Sequence, residues 1–264
     1  MNARWPSRLA WTGAVLGVLA ALLVFAPARW LANSINSATA DQLQLVNARG
    51  TVWRGQADLM FTGGQDSQTR TTLPQGVQWR ISPTLVSGLP AMALRLVAPC
   101  CTVQPVALTA RPLLSGAEIR MAAFNSRWPA ELLAGLGTPW NTLRMEGQLS
   151  LQTQGLTLRW DSGRGSLQGA LAVEAQDMVS RLSTLRPLGS YRMDVRAESD
   201  GNTTTLALKT LSGRLQLQGQ GQWVGGRLRF SGVAEAAPES EAALNNLLNI
   251  IGRRQGPRSL LNIG

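Results

Sequence analysis

The feature that most constrains the fold is the alternation of apolar and polar residues across glycine-centred turns in residues 203–234, TTTLALKTLSGRLQLQGQGQWVGGRLRFSGVA. A hairpin turn fixes which residues face each other, and a slip of one residue moves every side chain to the other face. Turns at 212–213 and 225–226 both bring the apolar residues to one face. The facing pairs are Leu208 with Leu217, Trp223 with Leu228, Gly221 with Phe230 and Leu217 with Ala234. The segment therefore predicts antiparallel strands with one apolar side.

The same arithmetic applies upstream, in residues 143–175. Turns at 154–155 and at 162–165 again give one apolar face, which carries Trp160. Residues 50–61, GTVWRGQADLMF, alternate in the same way and predict a half-buried strand that points Trp53 into the core. Proline and glycine punctuation predicts further short strands at 77–81, 92–97, 103–110, 117–124 and 190–197.

Two helices are predicted besides the N-terminal segment. Residues 240–252 place Leu244, Leu247, Leu248 and Ile251 on one stripe, with Ser240 before the stripe and Gly252 after it. A shorter helix is predicted near 128–136.

These elements predict a mainly β fold. Antiparallel meander sheets form one elongated, sandwich-like or partly open barrel domain over residues 29–264, with an N-terminal transmembrane helix and a short C-terminal helix. The expected core anchors are large aromatic residues at the strand positions that face the apolar side, namely Trp53, Trp79, Trp160 and Trp223.

The N-terminal segment predicts the cellular compartment. Residues 9–28, LAWTGAVLGVLAALLVFAPA, carry no charge, and a helix of about 20 residues is long enough to cross a bilayer core of about 30 Å. Arg4 and Arg8 precede it, which predicts a cytoplasmic segment at 1–8 and an exported remainder. The alternative is a cleaved signal peptide, because the small-x-small strings at 26–28 and 38–40 resemble cleavage sites.

Composition removes several classes of function. The 264 residues include no histidine, which excludes catalytic arrangements and metal sites that depend on it. No phosphate-binding G-x-x-x-x-G-K-[ST] loop occurs. The net charge of +10 comes almost wholly from arginines, which are dispersed singly along the predicted strands. We therefore expect no cofactor, no metal, no nucleic-acid partner and no enzymatic activity. A glycosidase built from carboxylates distant in sequence is the catalytic alternative left open.

Cys100 and Cys101 are the only cysteines and are adjacent. In an oxidising compartment they form either a vicinal disulfide or a simple buried pair. Two cysteines are too few for a four-thiolate zinc site.

Four strings, taken in order after the N-terminal segment, resemble the type II secretion system protein N family. They are GTVWRGQA at 50–57, VQWRISPTLVSGL at 77–89, LQLQGQGQWVGGRLRFSGVAEA at 215–236 and ALNNLLNIIGRRQGPRSLLNIG at 243–264. The resemblance implies a single-pass protein of the bacterial inner membrane with a periplasmic β domain. It also implies an accessory, structural role in the machine that exports folded proteins across the outer membrane, and it supplies no catalytic or cofactor-binding residues.

The resemblance implies other secretion subunits as partners, and the inner membrane through residues 9–28. The expected partner surface comprises Arg54 and Gln56, which alternate onto the polar side of GTVWRGQA, together with Asn245 and Asn249 on the C-terminal helix. The alternative is a lipid-binding or lipid-transfer protein similar to the AsmA group, in which the apolar sheet face forms a groove for a lipid ligand.

Overall fold

A computed structural model of the protein describes residues 5–63, 69–162, 164–198, 203–224 and 227–264. All of its strands belong to one antiparallel sheet of 16 strands, which confirms the mainly β prediction. The sheet is open, because β1 (Leu43–Gly50) and β15 (Arg253–Gln255) stand at its two ends and do not pair with each other. The expected sandwich of two sheets is therefore wrong, whereas a single unclosed sheet is compatible with the partly open barrel given as its alternative.

The sheet is a meander whose strand order largely follows the chain, with β3 paired only to β2 and β8 only to β9. The remaining strands are β2 (Arg54–Thr62), β3 (Arg70–Thr72), β4 (Val77–Val86), β5 (Leu89–Val97), β6 (Val106–Leu113), β7 (Gly116–Met121), β8 (Phe124–Pro129), β9 (Met145–Asp161), β10 (Arg164–Ser180), β11 (Gly189–Ala197), β12 (Thr203–Gly213), β13 (Leu215–Val224), β14 (Arg227–Ala236) and β16 (Arg258–Ile263). The helices are α1 (Trp5–Val24), α2 (Ala28–Ala38), α3 (Trp140–Leu143) and α4 (Glu241–Ile251), with 3₁₀ helices at Ala130–Leu136 and Pro238–Ser240.

The register predicted for β13 and β14 is confirmed pair by pair. Trp223 faces Leu228, Gly221 faces Phe230, and Leu217 faces Ala234, although the turn residues 225–226 lie outside the described residues. Between β12 and β13, Leu208 faces Gly219 rather than Leu217, so this hairpin is displaced by two residues. A displacement of two preserves the face of every side chain, and the apolar side is as predicted.

The turn predicted at 154–155 is wrong, because β9 runs through this point as one strand of 17 residues. A bulge absorbs Gln154 and Gly155: Leu156 faces Gly169, while Thr153 faces Leu171. The leucines of β9 change from odd to even positions here, and an extra residue in one strand brings both sets to the same face. Gly155 has a φ of +137°, a conformation that side-chain-bearing residues rarely adopt.

The predicted membrane span at 9–28 is not one helix. Helix α1 ends at Val24, Pro27 precedes α2, and Ala28 already belongs to that second helix. Among the described residues, no helix combines the length and the apolar character needed to cross a membrane. Of the segment predicted to be cytoplasmic, residues 1–4 lie outside the described residues.

Helices cover the apolar face in two places and create two core clusters. Toward the first strands, α2 and the 3₁₀ helix Ala130–Leu136 pack on a cluster that contains Trp79. Toward the last strands, α4 packs on a second cluster through Leu244, Leu247 and Leu248, which are fully buried. The predicted helix at 240–252 and its apolar stripe are thus confirmed.

The four predicted core anchors have different environments. Trp79 is 5% exposed, and its indole Nε1 donates a hydrogen bond to the Val52 carbonyl at 3.0 Å. Trp53 is half-buried and lies in the connection between β1 and β2 instead of inside a strand. Trp160 is 54% exposed and Trp223 is 47% exposed, so assigning these two to the core is wrong. They lie toward the hairpin ends of long strands, at a distance along the strands from the helix-covered clusters.

This contrast predicts unequal effects of truncation. Trp79→Ala is expected to lower the free energy of unfolding by about 3–5 kcal/mol, because it leaves a cavity in a packed cluster. Trp160→Ala is expected to cost about 1 kcal/mol, because half of the indole surface already meets solvent. Urea unfolding of the full chain in detergent, followed by circular dichroism, measures both values, and equal losses would contradict the assignment.

The core near α4 predicts a loss of stability at alkaline pH. Burial raises the pKa of Tyr191, whose hydroxyl donates a hydrogen bond to the Leu215 carbonyl at 3.1 Å. The unfolded tyrosine ionises near pH 10, so the stabilisation is complete below that pH and is lost as the pH rises above it. Tyr191→Phe is expected to cost about 1 kcal/mol at neutral pH and to lack this alkaline loss. Urea unfolding at several pH values compares the free energy of unfolding of the wild-type chain with that of Tyr191→Phe.

Candidate functional site

The polar face of the first strands forms a concave surface beside the connection between β1 and β2. This surface encloses about 630 Å³. Its polar lining consists of four arginines and two glutamines, namely Arg49, Arg54, Arg80, Arg95, Gln56 and Gln78. The side chains of Arg80 and Gln78 alternate along β4 with the buried Val77 and Trp79, so they point away from the core.

Strand register brings three of these arginines into a line, hereafter the arginine row. Arg54 on β2 faces Arg80 on β4, and Arg80 faces Arg95 on β5. Directly opposed residues have Cβ atoms about 4.5–5.5 Å apart. Arg49 lies opposite Gln56 in the neighbouring row, on the same face. All four arginines are exposed.

The arginine row lacks counter-charges. No ion pair involving Arg49, Arg54, Arg80 or Arg95 occurs in the described part of the chain. The nearest acid along β2 is Asp58, and its carboxylate accepts a hydrogen bond from Asn47 at 2.8 Å. Like charges placed directly opposite each other on neighbouring strands are destabilising. The arginine row therefore lowers the stability of the sheet.

Several arginines elsewhere on the polar face have acidic partners. Arg111 and Arg120 both pair with Glu118, at 3.3 and 2.8 Å. Arg192 bridges Glu174 and Asp194, and its hydrogen bonds hold the pKa of Asp194 below the usual range. Arg227 and Arg229 also lack an ion pair in the described structure, so the property that distinguishes the arginine row is the direct opposition of three like charges on neighbouring strands.

The end of α1 is fastened next to the arginine row. The Trp53 indole Nε1 donates to the Leu23 carbonyl at 2.7 Å, and the Val52 amide donates to the Ala26 carbonyl at 2.8 Å. Pro27 forms an isolated antiparallel bridge with Thr51. Since Arg54 follows Trp53 directly, the start of the arginine row is one residue from the clamp on α1.

Helix α1 and its junction with α2 expose apolar surface. From residue 10 to residue 25 every side chain of this segment is exposed, including Trp11, Leu16 and Leu23. At the junction, Phe25 is 73% and Trp30 49% exposed, and Arg29 between them is also exposed. An apolar helix with exposed aromatic and basic residues at one end has the composition of a segment that meets lipid and its interface with water.

The other predicted site residues are distributed along the sheet. Arg54 and Gln56 both line the concave surface, while Asn245 and Asn249 lie on the exposed side of α4. Helix α4 packs near β14, β15 and β16, at the opposite end of the strand order, so the two pairs belong to separate surfaces.

Cys100 and Cys101 are joined by a vicinal disulfide in the connection between β5 and β6. Cys101 is buried in the core cluster that contains Trp79, and its carbonyl accepts a hydrogen bond from the Arg127 amide at 2.8 Å. The disulfide therefore lies where the connection is tied to β8.

A second surface is the part of the apolar sheet face that no helix covers. Ile119, Leu158 and Trp160 are partly exposed there, on the adjacent strands β7 and β9. Within the described residues, no three His, Cys, Asp or Glu side chains come together, so neither surface carries a cluster suited to binding a metal ion.

The arginine row is not apparent from the sequence, because its arginines occur singly on separate strands. A turn at Ser87 and Gly88, treated like the other hairpins, would have placed Arg80 opposite Arg95. No short turn joins β2 to β4, so the pairing of Arg54 with Arg80 had no comparable signal in the sequence.

These features define a β-rich protein built on one extended antiparallel sheet, with an apolar N-terminal helix fastened beside a basic face. Residues 41–260 match the protein family described as type II secretion system (T2SS), protein N. The match covers most of the chain, so the chain belongs to this family, and the resemblance drawn from the sequence is confirmed. No match was found among curated proteins or among solved structures.

The like-charge arrangement predicts a stabilising substitution. Arg80→Gln is expected to raise the free energy of unfolding by about 0.5 kcal/mol at low ionic strength, because it removes repulsion from both neighbours of the arginine row. The gain should shrink as salt screens the charges. Arg229→Gln is the matched control, since Arg229 is exposed on β14 and faces the uncharged Gln222. Urea unfolding measures both, and an Arg80→Gln chain no more stable than the control would contradict the expected repulsion.

Proposed function

We propose that this chain is an accessory subunit of the type II secretion machinery that acts structurally at the inner membrane. The observation that carries the proposal is the family match over residues 41–260, which covers the sheet from β1 into β16. On this proposal the sheet domain lies in the periplasm, with residues 1–8 on the cytoplasmic side.

The proposed attachment to the inner membrane is through helix α1 and the residues that follow it to Ala28. The exposure of every side chain from residue 10 to residue 25 supports insertion into lipid, because no other described part of the chain removes these side chains from water. The clamp formed by Trp53 and Val52 on the end of α1 would hold the first strands next to the bilayer.

The proposed role is assembly rather than chemistry. The support for it is the family match, which is to a secretion-system protein. At one end of the sheet, the amides of Leu43 and Leu45 on β1 already donate to Thr39 and Asn36. At the other end, β15 pairs with β16 alone, and an extended segment of another protein can bind such an edge by adding a strand. We place a contact with another secretion subunit at the last strands, where α4 presents Asn245 and Asn249.

Site-specific photo-crosslinking in native membranes tests this role. Probes at Asn245 and Asn249 are expected to give adducts to other type II secretion subunits, identified by mass spectrometry. Control probes at Gln168 and Gln220, exposed polar positions on β10 and β13, should give fewer adducts. Adducts to phospholipid alone from the α4 probes would contradict the subunit contact and favour the lipid-binding alternative.

Probes at Arg54 and Gln56 belong in the same experiment, because they report what lies over the concave surface. Their adducts are read separately from those of α4, since the two surfaces lie at opposite ends of the strand order.

A further inference from the structure

We propose that the arginine row binds the phosphate groups of anionic membrane lipids, so that the polar face of the first strands rests on the membrane surface beside α1. This inference rests on the membrane insertion of α1 proposed above and not on the role in secretion.

The first argument is the unsatisfied charge. Arg54, Arg80 and Arg95 are aligned by register, exposed and without an ion pair in the part of the chain that is described. An anion placed between neighbouring guanidinium groups would turn a repulsive line into a favourable one. Phosphate suits this position, because a guanidinium presents paired N–H donors that match two phosphate oxygens.

The second argument is spacing. Neighbouring strands lie about 4.8 Å apart, so the backbone positions of Arg54 and Arg95 are separated by about 10 Å. Each gap between adjacent arginines can hold one phosphate, and the row offers two such gaps. Gln56 and Gln78 face each other in the adjoining row and add amide donors on the same side. Arg49 extends the positive charge toward β1.

The third argument is position. The hydrogen bond from Trp53 to the Leu23 carbonyl joins the start of the arginine row to the last turn of α1. Phe25 and Trp30 are exposed at this same junction, and large aromatic side chains concentrate at the interface between lipid and water. If the apolar helix lies in the bilayer, the arginine row stands at the depth of the headgroups.

This position favours lipid over an acidic segment of another protein. A protein segment would need contacts of its own to hold it against the concave surface, whose polar lining consists of four arginines and two glutamines. Anionic headgroups are held in place by the bilayer itself, and basic residues close to it gain about fivefold in binding for each charge.

The test places the full chain in lipid nanodiscs of phosphatidylcholine alone or of phosphatidylcholine with phosphatidylglycerol. Phenylglyoxal modifies accessible arginines, and peptide mass spectrometry gives a rate for each one. Modification of Arg54, Arg80 and Arg95 is expected to be about fivefold slower in the anionic discs, with the protection lost at high salt. Arg227 and Arg229, exposed on β14, are expected to react at equal rates in both discs.

Two variants refine the test. Arg80→Gln removes the central donor, so the protection of Arg54 and Arg95 is expected to fall, while Arg229→Gln leaves it unchanged. Because Arg80 is exposed and has no ion-pair partner among the described residues, both variants are expected to fold, and circular dichroism verifies this.

Several results would overturn the inference. Equal rates in the two discs would show that anionic lipid does not bind the row. Protection by inorganic phosphate in neutral discs, with none from anionic lipid, would assign the site to a free anion. Protection seen only in native membranes, with protein adducts at Arg54, would assign it to an acidic partner. A chain that does not co-elute with the discs would refute the insertion of α1 and this inference together, leaving the crosslinks from α4 as the separate test of the secretion role.

Discussion

Backbone pairing between antiparallel neighbours, repeated without closure across the sheet, is the constraint on which the other features of this protein depend. Every strand except β1, β3, β8 and β15 pairs with a neighbouring strand on both sides, so the sheet grows laterally without a second sheet to cover it. Its apolar face must then be covered by whatever helices the chain provides. Helices α2 and α4 do so near the two ends of the strand order, and between them Leu158 and Trp160 remain partly in solvent.

The same pairing converts residues that are distant in sequence into a surface. Arg54, Arg80 and Arg95 belong to three strands and become neighbours only through register. Farther along the polar face, Glu118 and Glu174 meet arginines in the same way and neutralise them. The sheet thus brings three like charges together in its first strands, beside helix α1, whose side chains are exposed from residue 10 to its end.

Local patterns predicted much of this fold because alternation and turn chemistry act over short distances. The pairing of β13 with β14 and the apolar stripe of α4 follow from residues close together in the chain. The exposure of Trp160 and Trp223 could not be read in this way, because the pattern assigns a residue to a face without saying what covers that face. Only one of the two pairings in the arginine row could be predicted from the sequence, because the pairing of Arg54 with Arg80 spans a connection without a short turn. The hydrogen bond that fastens the last turn of α1 likewise comes from Trp53, far away in sequence.

The bulge in β9 has a consequence for how such a sheet tolerates change. Gln154 and Gly155 allow leucines at odd positions before the bulge and at even positions after it to share one face. Loss of one of these two residues would remove the extra residue and leave Leu156, Leu158 and Trp160 on the apolar face, in strict alternation with the leucines before them, while loss of both would turn these three side chains toward the polar face. At this point the strand therefore tolerates shortening by one residue better than shortening by two.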